Sequence, residues 1–459
     1  MEEMARESIC LLAKPGLECG TPNLSSVGAI FIMLKSALGA GLLNFPWAFN
    51  KAGGTHVAIT VEMCSLVFLI SGLVILGYAS SLSSQCTYQG VVKDVCGPAI
   101  GKLCVVCFLF NLFMISVAFL RVVEDQLEKL CDSVNINETL HVMGDHAQPW
   151  YIDHRFIMTI ICVVVIFPLS FPKEIGFQKY TSILGTLAAC YLTVVIIIKY
   201  YLMEHPIAHK REFSPSTSSW ASIFGVFPTI CFGFQCHEAC ITIYCSMKNK
   251  SLSNWIMVSV FSMLICLLIY SLTDFKGHGL YGFLTFGELV AADILVSYPG
   301  DDVVVIIARV LFGVSIITIY PIVLLLGRSV LQDVWLDRKG YSMHVTESYE
   351  RFMRLTLTIL WILVTLIIAM FVPDISEVIS IIGGISAFFI FIFPGLCLIC
   401  AMQLQSIERR KKCSVYIECD PACIEWRYCL VAWGIISVLC GAFIFGQSTT
   451  TAVMELLKL

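Results

Sequence analysis

The chain has 459 residues, of which 58% are hydrophobic and 14% charged, and its mean hydropathy is +0.85. That balance excludes a soluble globular protein and fits a chain that crosses a bilayer many times. The net charge of −4 decides little, because the position of each Lys and Arg is what orients membrane helices.

The tail, residues 1–24, carries Glu2, Glu3, Glu7 and Glu18 and has no long apolar core, so no cleavable signal peptide is expected. A spanning helix needs ~20 mostly apolar residues. On that rule eleven spans are expected, at about 25–50, 56–80, 100–124, 155–171, 177–202, 217–247, 255–273, 299–327, 352–372, 375–403 and 426–446. The first is interrupted at Leu38-Gly39-Ala40-Gly41-Leu42-Leu43-Asn44-Phe45-Pro46. Two glycines one residue apart favour backbone conformations that a continuous helix does not need. In hydrocarbon, broken backbone is tolerated where it lines a protein cavity. The break thus offers Gly39, Ala40 and Gly41 to a small charged or zwitterionic solute at the bilayer midplane, the alternative being a glycine pair used for packing. Lys35, one turn earlier, either snorkels towards the cytosol or stands in the cavity as a fixed cation.

With the N-terminus in the cytosol, Lys93, Lys173, Lys248, Lys250, Arg338, Lys339, Arg351, Arg354 and the run from Arg409 to Lys412 all fall inside. The opposite loops keep only a scatter such as Lys129, Lys210, Arg211 and Lys276, as the positive-inside rule requires. The loop 125–154 then faces outward, and its Asn137-Glu138-Thr139 is an acceptor for N-glycosylation. The C-terminus after the eleventh span (426–459) is also outside. Most of the 22 cysteines sit in apolar segments as small hydrophobes. Cys131 alone lies clearly in an outer loop, so no structural disulfide is expected. Cys413, Cys419 and Cys423 fall in the basic cytosolic loop 404–425, where no histidine is at hand to complete a zinc site.

Ser182-Ile183-Leu184-Gly185-Thr186-Leu187-Ala188-Ala189 in the fifth segment resembles Ser380-Ile381-Ile382-Gly383-Gly384-Ile385-Ser386-Ala387 in the tenth. Each follows a proline, Pro172 or Pro373. The same offset carries the first break onto Pro228-Thr229-Ile230-Cys231-Phe232-Gly233-Phe234-Gln235-Cys236-His237, the interruption of the sixth segment. Residues 25–203 and 204–403 therefore read as two five-helix repeats, the second inverted because the repeat length is odd, with the eleventh helix added. Chance similarity between apolar helices is the alternative. The fold expected is all-α and polytopic.

Polar groups at membrane depth are costly and often functional. Beside Gly233 stand Gln235, His237 and Glu238, flanked by Phe232 and Phe234. His237 either titrates and couples transport to protons or is hydrogen-bonded between helices. Asn111 and Ser116 in the third segment, and Ser315 and Thr318 three apart in the eighth, are further cavity candidates. Hydroxyls spent on their own helix backbone are the alternative, and Arg309 poses the same question as Lys35. No H-E-x-x-H, G-x-S-x-G or P-loop motif is present, which argues against an enzyme and against nucleotide-driven pumping.

Gly39 to Pro46, Pro228 to His237, Tyr281-Gly282-Phe283-Leu284-Thr285-Phe286-Gly287 and Phe393-Pro394-Gly395 together resemble the sodium-coupled neutral amino acid transporters, solute carrier family 38 of the amino acid and auxin permease group. The resemblance runs from about Ser25 to Gln447. It implies eleven helices in the bacterial leucine-transporter arrangement and symport of small neutral amino acids, glutamine and alanine foremost. Sodium would be the co-transported ion, with no other cofactor. The partners implied are the amino acid and the bilayer, with no nucleic acid; a functional monomer in the plasma membrane is expected. Gly39, Ala40, Gly41, Asn111, Phe232, Gly233, Phe234 and Gln235 are the expected substrate contacts. In members that use sodium, the position four before the first glycine is typically an asparagine near the ion; here it is Lys35. Sodium would then bind through break carbonyls such as that of Ala37 with Ser315 or Thr318, or Lys35 would take its place. A sodium-independent permease, and an amino acid sensor that signals from its cytosolic face, are the alternatives.

Overall fold

The computed structural model describes residues 24–38, 41–51, 55–83, 85–139, 153–171, 178–202, 225–272, 291, 293–339, 347–372, 375–412 and 421–456. Half-helices α1 (Ser26–Ala37) and α2 (Gly41–Lys51) share the first apolar segment, and α3 (Thr55–Leu82) follows. A short helix, α4 (Tyr88–Cys96), starts at Thr87, whose side chain accepts from the Gly90 amide. It ends at Gly97, whose φ of 92° is left-handed backbone that favours glycine, and the chain turns there into α5 (Pro98–Thr139). α6 (His154–Ser170) contains a π turn at Cys162–Ile166, and α7 (Gln178–Leu202) follows. The sixth segment is again two pieces, α8 (Phe227–Gly233) and α9 (His237–Ser246). Then come α10 (Leu252–Leu272), the single turn α11 (Ile294–Ser297), α12 (Val303–Lys339) and α13 (Glu347–Phe371). A π turn at Phe388–Ile392 separates α14 (Ile375–Ala387) from α15 (Phe393–Lys412), and α16 (Pro421–Leu456) closes the chain.

Among the described residues, seven stretches are long and apolar enough to cross a bilayer: Ile59–Leu82, Pro98–Asp132, Leu252–Tyr270, Val303–Gln332, Ser348–Phe371, Val378–Ser406 and Glu425–Met454. The first and sixth expected spans do not qualify because glycine and proline split each into two half-helices. His154–Ser170 and Leu187–Lys199 are shorter apolar stretches. Several helices also outrun their expected apolar limits. α5 continues to Thr139, and where its apolar run ends Arg121 pairs with Glu124 at 3.0 Å and Asp125 at 2.7 Å, polar i,i+3 and i,i+4 contacts that hydropathy does not register. The outer loop expected from residue 125 therefore begins as helix, and Asn137 lies near the end of α5, its side chain outside the described set. Likewise the basic loop expected from 404 begins as the end of α15, and its Cys413 and Cys419 lie outside the described residues, as do Pro172, Pro373 and the motif from Tyr281 to Gly287.

α5 packs along α12, and α16 lies against α14 and α15 at the periphery. Val163, Val164, Leu187, Phe261, Leu268, Leu360, Leu439 and Phe443 are exposed on the outer surface, where lipid rather than water is the solvent for such side chains. Ahead of α1, Leu24 exchanges backbone hydrogen bonds with the end of α9: its amide donates to Ser246 O at 3.1 Å, and Lys248 N donates to Leu24 O at 2.9 Å. Ser26 Oγ donates to Asn254 Oδ1 at 3.0 Å, so this end of α1 is tied to α9 and α10 together.

Candidate functional site

α1 stops at Ala37, where Leu38 N donates to Leu34 O, and helix resumes at Gly41. Gly39 and Ala40 lie outside the described residues, and so does the side chain of Lys35. α8 starts with Pro228 in its first turn, where a missing amide costs nothing, and stops at Gly233. Phe234 to Cys236 leave helical geometry before α9 restarts at His237.

The two breaks meet backbone to backbone. A Cβ on Gly41 would stand 2.6 Å from Gly233 Cα, and one on Gly233 would stand 2.2 Å from Phe45 Cε2. Only glycine allows this approach at both positions. Beside it, Phe45 stacks on Tyr270 at 4.1 Å between centroids, and Phe234 meets both rings edge-on, at 6.0 Å and 5.0 Å. The Tyr270 hydroxyl reaches Ala37 O at 3.0 Å and Gly233 O at 2.7 Å, so one side chain of α10 joins the carbonyl ends of both half-helices α1 and α8. Thr229 Oγ1 donates to Asn44 Oδ1 at 3.1 Å and fastens α8 to α2.

A polar cluster adjoins the second break. Asn111 Nδ2 of α5 donates to Glu238 Oε1 of α9 at 2.7 Å, and Ser386 Oγ of α14 donates to Gln235 Oε1 at 2.7 Å. Asn111 Oδ1 and Gln235 Nε2 have no hydrogen-bond partner among the described residues. One spare acceptor and one spare donor therefore stand near the junction. Phe232, largely buried in α8, lies 3.7 Å from where a Gly41 Cβ would be.

The other sequence candidates fall elsewhere. His237 Nε2 donates to Leu69 O of α3 at 3.0 Å, between helices. Ser116 Oγ donates to Leu112 O and accepts from Trp361 Nε1, so it joins α5 to α13 rather than facing a cavity. Thr318 Oγ1 donates to Ser315 O of its own helix at 2.8 Å, and Ser315 is buried against Gly185 of α7. Arg309 is buried and donates Nη2 to the carbonyls of Leu295, Tyr298 and Pro299, pinning the turn around α11. Tyr270 and Ser386 were not among the sequence candidates. Tyr270 reads as one more aromatic in an apolar run, and its partners are carbonyls distant in the chain.

Comparison with known proteins follows the same lines. The family described as transmembrane amino acid transporter protein matches residues 22–440. The chain is 70% identical to the Xenopus tropicalis protein that bears the number 8 in the sodium-coupled neutral amino acid transporter series, over 100% of this chain and 99% of that one. It is 59% identical to solute carrier family 38 member 8 of Homo sapiens, over 99% of this chain and 100% of that one. Among solved structures, that of MhsT in complex with L-phenylalanine aligns with a TM-score of 0.56 at 14% identity, covering 94% of this chain and 100% of that one, and so shares the fold. The chain is thus an integral membrane protein that belongs to the transmembrane amino acid transporter family, a family of transporters and not of enzymes, and within it to solute carrier family 38.

Proposed function

We propose that the chain is a secondary-active, sodium-coupled symporter of small neutral amino acids, glutamine and alanine among them, working by alternating access. The observation that carries this reading is the junction of the two breaks, with a spare acceptor on Asn111 and a spare donor on Gln235 beside it. The backbone amides of Gly39, Ala40 and Gly41, which lead in sequence into α2, suit the substrate carboxylate, since the N-terminus of a helix is the positive end of its dipole. Asn111 Oδ1 suits the ammonium, with the Glu238 carboxylate behind it. Phe232, Gly233, Phe234 and Gln235 complete the pocket and limit it to small side chains. Sodium is held by the Ala37 carbonyl with Ser315 and Thr318; the relatives' names supply the ion. His237 remains a place for pH sensing.

The same reading places eleven helices as two inverted five-helix repeats, 25–203 and 204–403, with α16 added and a functional monomer in the plasma membrane. Residues 1–24 and 404–425 face the cytosol, and the C-terminus faces outward. Asn137 is then outside and glycosylated: Asn137→Gln moves on a gel with enzymatically deglycosylated wild type. Unchanged mobility would place that loop in the cytosol or leave the site unused.

A fixed cation at Lys35 is the second reading, favoured by its position one turn before Gly39. A unit charge ~4 Å from a carboxylate contributes about 4 kcal/mol at an effective dielectric near 20, enough to replace an ion. Uptake in sodium and in choline medium separates the two. Symport expects strong sodium dependence in the wild type, unchanged in Lys35→Asn. Weak dependence that Lys35→Asn strengthens would make Lys35 the tethered cation.

A further inference from the structure

We propose that Glu62 is a proton-binding site built into the seam between α3 and α10, separate from the amino acid pocket. Glu62 sits in the apolar run of α3 at 1% exposure, and neither carboxylate oxygen has a hydrogen-bond partner among the described residues. A charged carboxylate without a donor is expensive in a dry interior, so this packing accommodates the neutral acid. The other buried acids differ in kind. Glu238 accepts from Asn111, Asp293 accepts from Gln126 Nε2 and Leu295 N, and Glu124 pairs with Arg121.

The register of the seam shows what Glu62 faces. Trp255 Nε1 donates to Leu73 O at 2.8 Å, while Cys266 and Tyr270 lie within electrostatic reach of Glu62. The helices therefore run antiparallel, with Leu73 beside Trp255 and Glu62 near Cys266. Ser262 and Ser259 fall between, and both hydroxyls are buried without a hydrogen-bond partner among the described residues. Helical serines usually bond their own backbone, so two that do not, along one seam, form a polar row. From α9, His237 Nε2 holds Leu69 O of α3, and its Nδ1 has no partner among the described residues. At the head of the row is Tyr270, which holds the carbonyls of both breaks.

The titratable groups of the elements packed on α3 are these. α10 carries Cys266 and Tyr270; α9 carries His237, Glu238, Cys240, Tyr244 and Cys245, with Cys236 just before it; α8 carries Cys231; α2 carries Lys51; and α15 carries Cys397 and Cys400, with Glu408 to Lys412 at its far end. α4 has Tyr88, bonded to Phe389 O, with Cys96 and the exposed Lys93 and Asp94. None of these that is described supplies Glu62 with a hydrogen bond. A metal ion takes several oxygen ligands at once. A proton needs none. Exchange of this proton during turnover rests on the transporter reading; occupancy of the site by a proton does not.

The test has two readouts on full-length protein. Infrared difference spectra between wild type and Glu62→Gln, in bilayers at neutral pH, should show a protonated carboxyl band in the wild type that the variant lacks. Uptake by wild type should change severalfold from mildly acidic to mildly alkaline medium, Glu62→Gln should lose most of that change, and Glu62→Asp should keep a slope. A carboxyl band present but no uptake by wild type leaves the proton site standing and removes the transporter reading. Identical carboxyl bands in wild type and Glu62→Gln overturn the proposal. So does an unchanged pH profile in Glu62→Gln, or loss of its sodium dependence with pH dependence intact, which would mark a metal site. If Glu62→Gln does not fold, the carboxyl band of Glu62→Asp decides: displaced from the wild-type band it supports the site, undisplaced it overturns it.

Discussion

Gly41→Val abolishes amino acid uptake while the protein still reaches the cell surface. A Cβ alone would stand 2.6 Å from Gly233 Cα and 3.3 Å from Gly233 N, and the obstructing atoms are backbone of α8, which cannot rotate aside. The two methyl groups of valine add to that clash. Forcing extra carbon into a packed contact costs about 1–3 kcal/mol. Relief would come only by parting α2 from α8, which separates the two breaks and displaces the amides proposed to hold the substrate carboxylate. Since 1.4 kcal/mol is about tenfold, uptake should fall by roughly ten- to a hundredfold or more. Surface biotinylation in parallel shows that expression is retained. Uptake near the wild-type level would mean that Gly41 is not at the contact through which the breaks act together.

Tyr270→Phe has the second large effect, on stability and transport together. The ring keeps its stacking on Phe45, because only the hydroxyl is lost. The one hydroxyl proton, shared between the carbonyls of Ala37 and Gly233, is then missing from the interior. A buried group left without a partner costs about 1–3 kcal/mol. Thermal unfolding in detergent should begin at a visibly lower temperature, and uptake should drop about tenfold or more. A variant with wild-type stability and uptake would show that these carbonyls are satisfied in another way and that the breaks need no clasp from α10.

What could be read from the sequence follows the range of the forces involved. Both breaks were legible, because Gly39, Gly41, Pro228 and Gly233 act on their own backbone and helix ends are local events. In the sequence the pairing of the breaks rested on the expected repeat alone, and their contact at Gly41 and Gly233 was not legible, since the residues are far apart in the chain. Tyr270 was missed for that reason: its partners are 233 and 37 residues away. Glu62 carried a local signal, an acid inside an apolar segment, but its meaning depends on which donors the neighbouring helices fail to supply. Ser116 shows the reverse. A hydroxyl in an apolar helix reads as a cavity candidate until Trp361 is seen to use it. Helix lengths were underestimated because hydropathy marks where lipid ends, whereas a helix such as α5 runs on into polar sequence, to Thr139.

Coupled net movement of an amino acid is the central claim, and reconstituted flux tests it most directly. Purified protein in sealed liposomes is given radiolabelled alanine or glutamine, with an inward sodium gradient, with equal sodium on both sides, and with none. The expected result is accumulation above the external concentration only under the gradient, collapsing when an ionophore dissipates it. Label that binds to the protein without entering the lumen, or that accumulates equally without sodium, would contradict sodium-coupled symport.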